Sequence, residues 1–221
     1  TSAEWVSQVS RDLLFFTLAH QDGVTKESVG EVFWPGSSPA EIKLRFKNAI
    51  YRMRTAVGKD VVVFEDEIYR FNNLLDYEFD LESYYRELYR AERATDPKQK
   101  LLYYQQALRL YQGPYLPDTD LGWFVSERTR LQQVHLNTLV NLSSIYLDEN
   151  DFYNCLQSCQ LALNTDPCLE PAHRLAMRAF SASGNRAGLV RQYELCRQAL
   201  KEELNSSPSE QTRGLYHSLL K

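Results

Sequence analysis

The chain has 221 residues, with 25 Lys and Arg against 29 Asp and Glu, for a formal net charge of −4. Hydrophobic content of 43% beside 24% charged residues is ordinary for a globular protein and excludes a disordered chain. The length leaves room for two modest domains or one large one, and no apolar run approaches the ~20 residues that a membrane span needs.

The sequence begins at Thr1, without an initiator Met, a basic n-region or a cleavage motif. That reads as a domain cut from a longer cytoplasmic protein that carries no signal peptide. Its four cysteines, Cys155, Cys159, Cys168 and Cys196, lie in the last third. A disulfide scaffold would be smaller and denser in Cys, so buried reduced thiols are expected. Cys155 and Cys159 share a helix face and His173 is near in sequence, but no second ligand pair follows at a zinc-finger spacing, so no metal is expected. The other histidines, His20, His135 and His217, are scattered. Neither a Gly-rich phosphate loop nor a nucleophile beside a base appears, so the sequence implies no cofactor and no enzyme.

In chain order, Trp5, Val6, Val9, Leu13, Phe16 and Leu18 recur at helical spacing and predict a first helix from about Glu4 to His20. Gly23 is suited to the left-handed conformation that ends it. Thr25 opens a short second helix that turns Val29, Val32 and Phe33 inward, with Ser28 as a weak reciprocal cap. Ser38 and Pro39 then suit the N-cap and first positions of a long third helix. From Ala40 to Gly58 its apolar stripe is Ile42, Phe46, Ala49, Ile50, Met53 and Val57. After Gly58 the period changes to two. Val61 to Phe64 and Ile68 to Phe71 predict a β-hairpin around the acidic turn Glu65-Asp66-Glu67.

Two helices joined by a tight turn, the second one basic, followed by a hairpin, form a winged helix-turn-helix plan. Between Glu41 and Lys59 there are six basic residues and one acid. Concentrating positive charge on one helix of an acidic protein suits a surface that seeks phosphates. A merely solvated face mixes signs in i,i+4 pairs, and here Glu41 is the one acid. The expected DNA-binding residues are therefore Lys47, Asn48, Tyr51 and Arg52 on the outward face, flanked by Lys43, Arg45 and Arg54. Lys59 and Arg70, beside and on the hairpin, would reach phosphates. Arg and Asn are the side chains that bond bidentately to guanine and adenine edges, and Leu44 would pack on thymine methyls.

The stretches RDLLFFTLAH (11–20), DGVTKESVGEVFWPGSS (22–38), LRFKNAIYRMRTAVG (44–58) and VVVFEDEIYRFN (61–72) resemble the OmpR/PhoB-type winged helix. The version they resemble is that of antibiotic-regulatory-type bacterial transcriptional activators. Tyr51-Arg52-Met53-Arg54 is similar to the family's leucine-arginine-pair pattern at the end of the recognition helix. Ile68-Tyr69-Arg70 stands where the family has a Gly-Tyr-Arg-like tripeptide. The resemblance also implies a small sheet ahead of the first helix, which this sequence starts too late to contain.

Past a brief junction, helices are predicted at about 79–94, 97–111, 123–148, 151–164, 169–183, 186–204 and 209–220, with no strand-like alternation. Tyr146–Asp151 matches Phe180–Asn185 at an offset of 34, and Cys159–Leu163 matches Cys196–Leu200 at an offset of 37. A spacing near 34 in paired helices is a tetratricopeptide signature, and the drift implies a longer second half in the later repeat. A more degenerate unit fits Asp96 to Pro114. Tyrosines 84, 85, 89, 103, 104 and 111 are expected mostly to fill packing positions. YQGPYLPDTDLGWFVSERTRL (111–131), DPCLEPAHRLAMRAFSASGNRAGLVRQYELCRQAL (166–200) and SPSEQTRGLY (207–216) resemble the bacterial transcriptional activator domain of the same family.

The expected fold is thus mainly α: a winged helix-turn-helix over 1–73, then an all-α tetratricopeptide-like domain over 76–221. The expected function is a sequence-specific DNA-binding transcription regulator. The resemblance implies double-stranded DNA as partner, RNA polymerase or other domains of the parent protein as further partners, and dimerisation through the second domain. The alternative is a protein-interaction adaptor in a larger signalling protein, whose winged helix serves only as a packing module.

Overall fold

The structure, a computed structural model, describes Trp5 and residues 7–221. Glu4 and Val6, expected at the start of the first helix, lie outside the described residues. The chain divides into two compact units, and its path crosses between them more than once. The first unit comprises the chain up to Glu78 together with Tyr115–Arg128, and the second comprises Phe79–Pro114 and Thr129–Lys221. The sequence suggested a single crossing near 73–76.

In the first unit, α1 (Gln8–Ala19), α2 (Lys26–Phe33) and α3 (Pro39–Val57) precede a hairpin of β1 (Val62–Glu65) and β2 (Ile68–Phe71). Leu13, Phe16, Leu18, Val29 and Phe33 point inward with Phe46, Ala49, Ile50 and Met53 of α3. Val9 and Val57, expected on the inner stripes, are instead 39% and 38% exposed. Each sits within a turn of its helix end, where the stripe has run past the element it packs on. Both helix starts are firmly capped. Thr25 and Ser28 bond reciprocally, each backbone N–H donating to the other's hydroxyl at 3.1 Å, so the reciprocal cap is fully formed. At α3 the Ser38 N–H donates to Glu41 Oε2 at 2.8 Å, while Ser38 Oγ accepts from the Glu41 N–H. Ser38 was expected as the N-cap from the sequence, and Glu41 adds the reciprocal half of an S-x-x-E capping box.

The strands pair antiparallel, from Val62 opposite Phe71 to Glu65 opposite Ile68. The two-residue turn puts Asp66 and Glu67 at φ 51° and 61°, the region where Asn-Gly is the easy choice. The hairpin is anchored by Val24 and Tyr69, whose N–H and C=O groups exchange two bonds of 2.8 Å. That anchoring explains Gly23, which has φ 89°. A Cβ there would collide with Ile68 Cγ2 and lie 2.6 Å from Arg70 Cγ. Gly23→Ala therefore combines left-handed strain with overpacking. It should destabilise the first unit by about 2–3 kcal/mol, read as a lower denaturant midpoint at unchanged slope.

The segment Tyr115–Arg128 completes this unit's core. Phe124 is fully buried, edge-on to Phe33 at a centroid distance of 6.2 Å. Trp123 meets Phe16 at 4.9 Å. Arg128 holds the preceding loop in shape by donating to the carbonyls of Leu116 and Thr119, at 2.5 and 2.9 Å. On the outside, Gln8 Nε2 donates to the Asp118 carbonyl at 2.6 Å. The Arg11 guanidinium joins Asp12 and Asp118, and its bond to Asp118 holds that carboxyl below its usual range.

The second unit is helical throughout: α4 (Asp80–Arg93), α5 (Pro97–Leu110), the continuation of α6 (Gly122–Asp148), α7 (Phe152–Thr165), α8 (Glu170–Ala182), α9 (Arg186–Leu204) and α10 (Glu210–Leu219). The repeat read from the sequence is repeated in detail. After α6, Asn150 is left-handed at φ 60°, and after α8 Gly184 is at 72°. The Asp151 N–H donates to Tyr146 O and the Asn185 N–H to Phe180 O, both at 2.8 Å. Asp151 then caps α7 through the Asn154 N–H, and Asn185 caps α9 through the Gly188 N–H. Helix α9 has 19 residues against 14 for α7, the longer second half that the drift implied.

Small residues let the helices approach closely. Cys155, Cys159, Ala176 and Ala179 form one buried cluster with Leu175, and Ala162 and Ala172 another with Leu136 and Leu139. All four cysteines are free thiols. His173 faces Pro167 and Gln192: Nε2 lies 2.9 Å from the Pro167 carbonyl and Nδ1 lies 2.7 Å from Gln192 Nε2. It is a structural histidine. Of the six tyrosines, Tyr84 and Tyr104 are buried and Tyr85, Tyr103 and Tyr111 half-buried, so packing dominates. Tyr89 is 59% exposed, with the Arg93 guanidinium 5.4 Å above its ring. Among the described residues no helix is long and apolar enough to cross a membrane.

Candidate nucleic-acid interface

Helix α3 is the platform. Its capping box, Pro39 at the first position and an inward stripe ending at Met53 fix its rotation, so the opposite side must face solvent. Lys43, Arg45, Lys47, Asn48, Tyr51 and Arg52 are all exposed, as is Lys59 beyond the helix. Leu44 and Tyr51 are 61% and 70% exposed, so both stand on the same solvent-facing side of α3 as the cations. The one acid, Glu41, accepts from the Ser38 hydroxyl and backbone, which lowers its carboxyl below the ordinary range. It is engaged at the cap, one turn or more from Lys47 and Arg52. Among the described residues no carboxylate is paired with Lys43, Lys47, Arg52 or Lys59.

Two of the nine sequence candidates have another role. Arg54 is half-buried, and its Nη2 donates to the Val62 carbonyl at 3.0 Å, tying the base of the hairpin to α3. Arg70 is also half-buried, with Nε donating to the Asp22 carbonyl at 3.2 Å. Both bonds tie the hairpin to the helical part of the unit.

The exposed face of α3 has two sides. Arg45, Asn48 and Arg52 lie away from the hairpin. Lys43, Lys47, Tyr51 and Arg54 border a groove of about 460 Å³ between α3 and the hairpin. Phe46, Ile50 and Tyr69 form its apolar floor, and Phe64 stands on the strand side. The fourth cation on its border is Lys26, the first residue of α2. Lys26 and Phe64 were missed in the sequence. A clue was present at Lys26, since a cation at the first position of a helix opposes the helix dipole and needs another reason to be there. The hairpin tip has the wrong sign for phosphate, because Glu65, Asp66 and Glu67 are all exposed.

Residues 78–220 match the family model of the bacterial transcriptional activator domain. The chain belongs to that family, which places it among regulatory proteins rather than enzymes. The solved structure described as Mycobacterium tuberculosis EmbR in complex with low affinity phosphopeptide matches with a TM-score of 0.83 at 17% identity. The match covers 97% of this chain and 59% of that one, so this chain spans about three fifths of the neighbour's length. At that identity the likeness is one of fold. A search of the curated proteins gives no match.

Proposed function

We propose that this chain is a cytoplasmic, DNA-binding transcription regulator in which α1–α3 and the hairpin act as a winged helix-turn-helix. Helix α3 enters the major groove, Asn48 and Arg52 read base edges, and Lys43, Arg45, Lys47 and Lys59 meet phosphates. Arg54 and Arg70 set the hairpin and add charge beside the backbone. The helical unit, with its exposed Tyr89, is the surface for RNA polymerase, another domain of the parent protein or a second copy. One observation carries the reading: a rigidly oriented helix face with unpaired cations on it, in a chain of net negative charge.

The test is titration of duplex DNA at several salt concentrations. Neutralising six to eight phosphates gives a log–log slope of about −5 to −7, at ~0.9 per contact. A flat response would sink the reading. On a selected site Arg52→Ala should cost about 1–3 kcal/mol; an equal loss on random duplex would make Arg52 a phosphate contact instead of a base reader.

The adaptor reading is favoured by the acidic tip Glu65-Asp66-Glu67, which repels DNA and suits a basic protein surface. The same titration separates the two, because an adaptor shows no salt-dependent duplex binding.

A further inference from the structure

We infer that the groove along α9, on the side of α7, is a docking site for an amphipathic helix of a partner protein that carries an acid in its first turn and a base in its last. This rests on the protein-docking role proposed for the helical unit, narrows it to one surface and one kind of partner, and is independent of DNA binding. Two adjoining recesses of about 330 and 120 Å³ share Gln192 and Leu195 and together run along α9. Leu163, Pro167, Leu195 and Ala199 give the groove an apolar middle, and Leu195 is 50% exposed. Arg191 stands at one end, and Glu202 and Glu203 at the other. From 191 to 203 the helix rises about 18 Å, at ~1.5 Å per residue.

The charges of α9 run against its own dipole. Acids stabilise the start of a helix and cations its end, whereas here Arg191 lies in the first half and the acid pair in the last turn. Among the described residues no carboxylate is paired with Arg191 and no cation with Glu202 or Glu203. Lys201 is next to the acids in sequence but bonds to Asn205 instead. The extra length of α9 over α7 does not serve the core either, because residues 201–205 are all exposed. It carries the acids to the end of the groove. A helix laid parallel to α9 would meet Arg191 with its first turn and Glu202 and Glu203 with its last, in the charge order that its own dipole favours. Its i, i+3, i+4 and i+7 anchors would enter the apolar middle. A uniformly acidic or basic segment would be repelled at one end. The α9 of a second copy has no spare apolar face to offer, since that face is packed on α8.

The test uses the full chain and two labelled synthetic helices of about 14 residues, roughly the length of the groove, with leucines at the anchor spacing. One has glutamates in the first turn and lysines in the last, and the mirror peptide has these charges exchanged. Fluorescence anisotropy at low salt should show the first peptide binding at least about tenfold more tightly than the mirror, since like charges face each other at both ends of the mirror complex. Leu195→Asp should abolish binding at an unchanged melting temperature. The triple variant Arg191→Glu/Glu202→Lys/Glu203→Lys should prefer the mirror peptide, and it should melt no lower than wild type because its charges now follow the α9 dipole. Equal binding of the two peptides, or a triple variant that fails to reverse the preference, would overturn the docking site. If neither peptide binds wild type the groove is not a helix site, and the duplex titration still decides the DNA reading. If wild type sediments as a dimer that Leu195→Asp dissolves, the groove is covered by a second copy and the partner-helix proposal is overturned.

Discussion

Phe124→Ala should lower the stability of the first unit by about 3–5 kcal/mol, the range for truncating a buried aromatic, against a total of about 5–15 kcal/mol for a typical domain. The residue lies inside the stretch that matches the activator-domain family, yet its ring is fully buried against Phe33 and the α1 aromatics. Removing it leaves a cavity that Phe16 and Trp123 must collapse into, and both are fixed by ring contacts of their own. The neighbouring Ser126 is exposed, so Ser126→Ala should change stability by less than about 0.5 kcal/mol. A fragment ending at Glu78 should lack a cooperative unfolding transition, because it has no Trp123, Phe124 or Arg128 to close the core. Full-length Phe124→Ala should also lose DNA affinity in proportion to its unfolded fraction. If the 1–78 fragment melts cooperatively at wild-type temperature, Tyr115–Arg128 is an accessory and not part of the core.

The sequence showed this unit's helices, its hairpin and the basic face of α3, because periodicity and capping are local signals. It did not show Tyr115–Arg128 as part of the unit. The contact between Phe16 and Phe124 spans more than a hundred residues, and nothing in a single sequence pairs two aromatics at that distance. The candidate site was read in the same uneven way. Lys47, Asn48, Tyr51 and Arg52 were legible from a helical wheel alone. That Arg54 and Arg70 are tied to carbonyls of Val62 and Asp22, and that Lys26 comes round to the same groove, depends on how α2 and the hairpin pack beside α3. In the second unit the 34-residue offset was informative because it marked two identical turn geometries, with Asn150 and Gly184 left-handed and Asp151 and Asn185 as caps.

Between pH 6.5 and 4 the helical unit should lose stability chiefly through His135, by about 1–2 kcal/mol once solvent screening of a partly exposed ring is allowed for. Burial pushes its pKa down to about 4 from 6.5, and every tenfold loss of proton affinity on folding corresponds to ~1.4 kcal/mol. The ring is stacked on Tyr111 at 3.9 Å and 12°, and its Nδ1 is buried without a hydrogen-bond partner. A proton taken up there has no acceptor. The unfolded chain binds that proton below pH 6.5 and the folded chain does so only near 4, so stability falls as the pH falls through this window. His173 acts in the same direction, its pKa lowered chiefly by burial. The depressed carboxyls of Asp118 and Glu41 contribute stability that is lost only at lower pH, below their unfolded values near 4, which leaves the upper window to histidine. Melting temperatures at pH 7 and pH 4.5 should therefore converge for His135→Phe relative to wild type, since the replacement keeps the stack on Tyr111 and removes the titration. An equal pH-dependence in both proteins would show that folding leaves the proton affinity of His135 unchanged.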